Sequence, residues 1–190
     1  MKKKKFDRKK IIQGVKLVLE GVGEDIKREG LTRTPERIAE FYEEVLSGMD
    51  EDPAVELNKY TTKNKDEMII LKDISFFSLC EHHLLPFFGK VHICYIPQNN
   101  RMVGFSSMIK VVEILSQRLQ VQERMTSQIA DSVREALNAK GVLIVVEAEH
   151  LCLTMRGIKK PGSKIVTSAI RGMMRKDATR AEALALLERA

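Results

Sequence analysis

The chain has 190 residues, a length that suits one domain with room for a small second lobe. Its 44% hydrophobic and 31% charged residues exclude a disordered chain and supply a core, which must be aliphatic because aromatics make up only 5%. The net charge of +6 owes much to "MKKKKFDRKK", with seven basic residues and one acid, which reads as a solvated tail over residues 1–8; the remainder is near neutral and argues for no particular polyanion, so no nucleic-acid partner is expected. The longest aliphatic run, "VLIVV", is far too short for a bilayer, and no apolar leader follows the basic terminus. Three cysteines do not form a disulfide scaffold, so a reduced, cytoplasmic protein without a membrane partner is expected.

In chain order, Ile11, Val15, Val18, Val22 and Ile26 recur at helical spacing and predict a helix over residues 9–29, weakened by Gly14, Gly21 and Gly23. "TRTPERIAEFYEEVLSG" predicts a second helix, with Thr34 as cap, Pro35 at its first position and Gly48 as its stop. Together they predict a helical hairpin within a region spanning residues 9–56. After a connector the period changes. "EMIILKDISFFSL" and "GKVHICYIP" read as strands, and "PQNNR" as the turn that follows. Two helices come next, one carrying Met108, Val111, Val112, Leu115 and Leu119 on one face and the other Met125, Ile129, Val133 and Leu137, closed by Gly141. "VLIVVEAEHLCLTMR" and "KIVTSAIRG" read as strands, and Thr179 with Glu182 as a capping box for a last helix. Helices and strands are segregated, which predicts an α+β fold with an antiparallel sheet backed by two helices over residues 57–190.

Chemistry concentrates in two places. "SLCEHHLLPFFG" holds Cys80, His82 and His83, and "EHLCLTMRG" holds His150 and Cys152; five of the chain's seven cysteines and histidines lie there. Cys80 and His83 are three apart at a strand end, where a turn aims both at one ion. His150 and Cys152, two apart on a predicted strand, share a face. Thiolate with imidazole favours zinc over magnesium or calcium. If Cys80, His83 and Cys152 bind, a position stays open for water, and His82 and His150 remain as proton carriers. If Cys80, His83, His150 and Cys152 all bind, the site is closed and structural. Nucleobase deaminase chemistry is disfavoured, because the chain lacks a Pro-Cys-x-x-Cys motif. His92 and Cys94, without ligand spacing, read as ordinary strand residues.

The stretches "CEHHLLPFFGKVHICYIP", "VGFSS", "QVQERMT", "HLCLTMRGI" and "SKIVTSAIRG", in that order, resemble GTP cyclohydrolase I, from about Leu31 to about Arg171. The resemblance implies zinc-dependent opening of the imidazole ring of GTP, release of formate, and closure of a new ring to give 7,8-dihydroneopterin triphosphate, an early step towards tetrahydrofolate and other pterins. It also implies a tunnelling fold and a homodecamer with sites between subunits.

By that resemblance Cys80, His83 and Cys152 are the zinc ligands, His82 protonates the purine ring, and His150 carries protons beside the ribose. Glu123 accepts from the guanine N–H groups, Gln122 lines the same pocket, and Ser106 sits near the ribose. Arg37, Lys110 and Arg156 hold the triphosphate. Without the resemblance, Arg37 and Lys110 read as solvated helix charges, Glu123 as a favourable charge at a helix start, and Ser106 as a cap. One departure stands out: "GFSS" places Ser107 where the family has a lysine expected to touch phosphate, with Lys110 or Lys164 as substitutes.

Overall fold

The computed structural model describes residues 6–57, 59–61, 67–98 and 101–188. Helix α1 (Arg8–Gly21) starts where the Asp7 carboxylate accepts the backbone N–H of Lys10 at 3.1 Å. It stops eight residues short of the predicted end, because the chain turns at Gly23 with φ of +85°, a conformation only glycine adopts freely. None of its residues is buried; it lies against α2 (Thr34–Val45), with Arg8 paired to Glu40 and Glu43. Pro35 occupies the first turn of α2 and is buried, as expected, but Arg33 holds the cap position and the Thr34 hydroxyl donates to the carbonyl of Gly30 instead.

A short pair, β1 (Lys59–Thr61) with β4 (Arg101–Val103), stands apart from the main sheet. Asn99 and Asn100 of the "PQNNR" connection ahead of β4 lie outside the described residues. The main sheet runs β5-β2-β3-β6-β7, built from β2 (Ile69–Cys80), β3 (Pro86–Ile96), β5 (Leu119–Gln120), β6 (Gly141–His150) and β7 (Lys164–Gly172). Neighbours are antiparallel except β5, which pairs parallel with the last two residues of β2, so the sheet is mixed, not wholly antiparallel. β3 and β6 approach so closely that a Cβ on Gly89 would lie 1.9 Å from the carbonyl oxygen of Glu147.

Helices α3 (Phe105–Ser116) and α4 (Gln122–Leu137) cover one face of this sheet. Met108, Val111, Val112 and Leu115 from α3, and Met125, Ile129, Val133 and Leu137 from α4, are all essentially inaccessible. They pack on Phe76, Phe87, Val91, Ile93, Val142, Ile144 and Val146, the inward residues of a period-two alternation. Leu119, placed on the α3 face by periodicity, instead belongs to β5. The Arg118 guanidinium donates to the carbonyls of Gly48, Glu51 and Ile114, and the chain turns away from the helix there. Helix α4 closes at Asn138, left-handed at φ 49°, and Gly141 opens β6 instead of ending the helix. On the opposite face α6 (Asp177–Glu188) covers Cys94, Ile96 and Leu143 through Ala183, with Met174 beside it. Asp177 opens α6, so Thr179 and Glu182 lie inside the helix and form no capping box. Among the described residues, no helix is long and apolar enough to cross a membrane.

Candidate metal and substrate site

Strand β2 ends at Cys80 in a tight reversal. The Cys80 N–H donates to the carbonyl of Leu85 at 2.9 Å, and the Leu84 N–H returns to the carbonyl of Cys80 at 2.8 Å. Leu84 takes a left-handed φ of 54° to close the turn. The reversal throws Glu81, His82 and His83 outward before Pro86 begins β3.

Strand β6 ends at His150, six residues before the end of the run "VLIVVEAEHLCLTMR" that the sequence pattern predicts as strand. Leu151–Thr154 form a single helical turn, α5, closed by the Met155 N–H on the carbonyl of Leu151. His150 and Cys152 therefore do not share a strand face: His150 belongs to the sheet and Cys152 to the turn beyond it. This break carries the Cys152 thiol to the β2 end. The ligand atoms of Cys80, His83 and Cys152 lie within 4.8 Å of one another, with Cys80 Sγ 3.9 Å from His83 Nδ1.

These three side chains fit zinc. A tetrahedral ion with Zn–S and Zn–N bonds near 2.3 and 2.0 Å needs donor separations of roughly 3.3–3.8 Å, a contraction of about 1 Å at most. Burial, and then the neighbouring Cys80 thiol, push the Cys152 thiol upward from its ordinary value, while Arg156 opposes the shift. Two thiols this close resist ionising together, and a divalent cation reverses that preference by displacing their protons.

Beside the thiols stands His150, whose orientation and tautomer follow from its neighbours. Phe87, its partner across the β3–β6 ladder, stacks on the imidazole with centroids 4.6 Å apart and planes 7° from parallel. Gln122, 1% exposed, donates its amide N–H groups to the carbonyls of Val146 and Ile165, each at 3.0 Å, and to Thr167 Oγ1 at 3.1 Å. Those acceptors fix which end of the amide is nitrogen, so Gln122 Oε1 must accept from His150 Nε2–H, at 2.7 Å. Thr126 completes the set: its hydroxyl donates to the Gln122 carbonyl and lies 2.7 Å from Thr167 Oγ1. Nδ1 is left as the unprotonated nitrogen of His150. Burial lowers the imidazole's proton affinity, partly offset by the charge of Glu123.

Residues 11–188 match the family described as GTP cyclohydrolase I. The chain belongs to the GTP cyclohydrolase I family. Among its relatives, the protein named GTP cyclohydrolase 1 of Carboxydothermus hydrogenoformans is 54% identical over 95% of this chain and 95% of its own. Its namesake in Pelotomaculum thermopropionicum is also 54% identical, over 96% and 98%. That of Bacillus subtilis is 49% identical over 98% of both chains.

In this member of the GTP cyclohydrolase I family, one chain gathers only some of the residues singled out from the sequence. Arg156 joins the metal-ligand group, its guanidinium 3.0 Å from His83 Nε2, which therefore accepts. His82 is turned outward, 64% exposed, with Nε2 4.0 Å from the Glu81 carboxylate. Glu123 is exposed beside buried Gln122 on the first turn of α4. No hydrogen bond or ion pair among the described residues joins Arg37, Ser106 or Lys110 to this group. Ser106 lies ten residues before the end of α3 that leads to β5 and Cys80, ~15 Å along the helix axis. Gly104, not Ser106, holds the cap position of α3, and Lys110 pairs with Glu113 at 3.5 Å. Lys164 opens β7 opposite Glu149, exposed, on the face away from α3 and α4.

Sequence reasoning passed over Thr126, Thr167, Phe87 and Arg124. One signal was available: Gln122 and Thr126 are polar residues four apart, adjoining the apolar face made by Met125 and Ile129. Polar groups on a buried stripe must find partners, and these two find His150 and Thr167.

Proposed function

We propose that this chain hydrolyses GTP at carbon 8 of the guanine ring, releases formate and forms 7,8-dihydroneopterin triphosphate, an early step of tetrahydrofolate and pterin synthesis. The convergence of Cys80, His83 and Cys152 beside a histidine of defined tautomer carries this reading. Those three residues would hold zinc, which supplies a Lewis acid that makes water a usable nucleophile at neutral pH.

The chain's own groups do the remainder. Glu123 accepts from the two adjacent N–H groups of guanine, a pairing adenine cannot offer. His82, exposed at the reversal, gives a proton to the imidazole ring of the purine. His150 uses Nδ1 to take and return protons at the ribose, since Nε2–H is committed to Gln122. Ser106 orients the ribose, and Arg37, Lys110 and Arg156 neutralise the triphosphate.

Ser106 and the metal group lie apart within one chain, so a neighbouring subunit completes each site. The sheet supports this arrangement: among the described residues β5 pairs with β2 only over Leu79–Cys80, and β7 closes the other side without a further strand. Such edges call for cover. We therefore read the domain over residues 57–190 as a tunnelling fold within a homodecamer. Residues 9–56 form a helical hairpin on its outside, preceded by the basic tail, 1–8. Free thiols at the site suit a reducing cytoplasm.

The test is direct. Zinc-loaded protein given GTP yields formate and, after oxidation, a fluorescent pterin; chelation abolishes both, and ATP yields neither. Formate produced equally from chelated protein would overturn the metal role, and turnover of ATP would overturn the role of Glu123. Sedimentation of the loaded protein at the mass of ten chains checks the assembly.

A further inference from the structure

We propose that Arg124 is a positioning residue that ties the metal-binding turn to the first turn of α4, so that metal ligands and base-recognition carboxylate keep one mutual geometry. The inference rests on the reading of the site above. Arg124 follows Glu123 directly, yet its side chain points elsewhere. Nε donates to Gln120 Oε1 at 3.0 Å, and one terminal nitrogen donates to the carbonyl of Leu119 at 2.9 Å and to the Glu81 carboxylate.

Each acceptor is fixed in turn. Gln120 is 1% exposed and donates its own amide to the carbonyl of Leu115 and to Gln128 Oε1, both at 2.9 Å. The Gln120 carbonyl accepts the Glu81 N–H at 3.0 Å, and Gln120 pairs with Cys80 across the β2–β5 ladder. Glu81 stands between the ligand Cys80 and the proton donor His82. One guanidinium therefore spans β5, the reversal after β2 and the start of α4. The planar fork matters: a lysine ammonium keeps the charge opposite Glu81 but does not reproduce three directed bonds. A surface ion pair alone would contribute little. Here the partners are a metal-flanking carboxylate and a buried amide, the arrangement by which outer-shell groups hold ligands in place.

The experiment measures zinc release to a chromophoric chelator without nucleotide, and GTP kinetics alongside, for wild type, Arg124→Ala, Arg124→Lys, Glu81→Gln and Arg124→Ala/Glu81→Gln. Arg124→Ala is expected to weaken zinc by ~10–100-fold, to raise KM for GTP, and to lower kcat. Arg124→Lys, which keeps side-chain bulk and charge, recovers part of each loss and shows that the effect is not a folding failure. The double variant is no worse than Arg124→Ala, because both changes remove one interaction. Zinc affinity and KM within about twofold of wild type for both Arg124 variants would overturn the proposal. So would a double variant whose loss is the product of the single losses. Failure of the functional reading looks different: wild-type protein releases no formate from GTP, while the zinc measurements still respond to Arg124.

Discussion

His150 and His82 flank the same thiols on walls built differently. The His150 wall is buried and saturated with hydrogen bonds: Phe87 stacks on the ring, Gln122 holds one nitrogen, and Thr126 and Thr167 hold Gln122. The His82 wall is an exposed reversal whose side-chain ties to the rest of the chain are Arg124 on Glu81 and Arg156 on His83. A buried wall spends its ordering entropy during folding and presents His150 in one state. An exposed turn keeps freedom that the metal and substrate remove. On the roles proposed above, His82 would gain from the second arrangement, following a ring as it opens, and His150 from the first, offering a single nitrogen.

The largest expected effect comes from removing what both walls serve. Cys152→Ala should lose zinc and lower kcat on the order of a thousandfold, since a Lewis acid supplies several kcal/mol. Its metal-free thermal stability should change little, because Cys152 lies at the edge of the core. Metal analysis and formate release check this. Next is Gln122→Leu, which breaks only the buried wall. It strands the carbonyls of Val146 and Ile165 and the His150 N–H, and should cost at least ~2 kcal/mol of stability in a urea titration. It should lower kcat with zinc affinity unchanged; equal loss of zinc would show that the walls are not independent.

Chelation gives a third, smaller contrast. Amides of residues 81–84 should exchange faster with solvent by hydrogen–deuterium exchange, while those of Val142–Val146 stay protected. The smallest effect is at His92, a histidine held by neither kind of wall. Its Nδ1 accepts the backbone N–H of Asp73 at 3.2 Å, at the bulge where Asp73 takes φ 60° and Lys90 pairs with its carboxylate at 2.7 Å. Burial, above all, holds the imidazole below its ordinary 6.5. Asp73 and Glu147 pull the other way, while Lys72 and Lys90 add to the lowering. The unfolded chain therefore takes up a proton first as pH falls below 6.5, and folded His92 resists it. That share of stability is present above 6.5 and is lost below it, and His92→Gln should flatten the loss. A steeper acid loss in the variant would refute the assignment.

Much of this was legible in the chain itself. The grouping of Cys80, His83 and Cys152 showed because cysteine and histidine are rare here and gather in two places. The α3 and α4 faces showed because Met108, Val111, Val112 and Leu115, then Met125, Ile129, Val133 and Leu137, keep helical spacing. The end of β6 did not show: Leu151, Cys152 and Leu153 carry no turn signal, and the alternation of a strand and the opening of a helical turn look alike over four residues. Asn138 outcompeted Gly141 as the helix cap because asparagine also tolerates the left-handed region. The Gln122 network and the Arg124 fork join segments distant in sequence, and no local pattern encodes such partners.

Gln122, Glu123 and Arg124 are consecutive, and on a helix consecutive side chains leave the axis roughly 100° apart. One reaches inward to the imidazole, the next lies open to solvent, and the third reaches across to the reversal after β2. The buried face made by Met125, Ile129, Val133 and Leu137 sets the rotation of this helix, and so the direction in which each of the three leaves it. A residue inserted between Arg124 and Met125 would turn all three away from their partners together by roughly 100°, and should abolish activity although the core face is untouched.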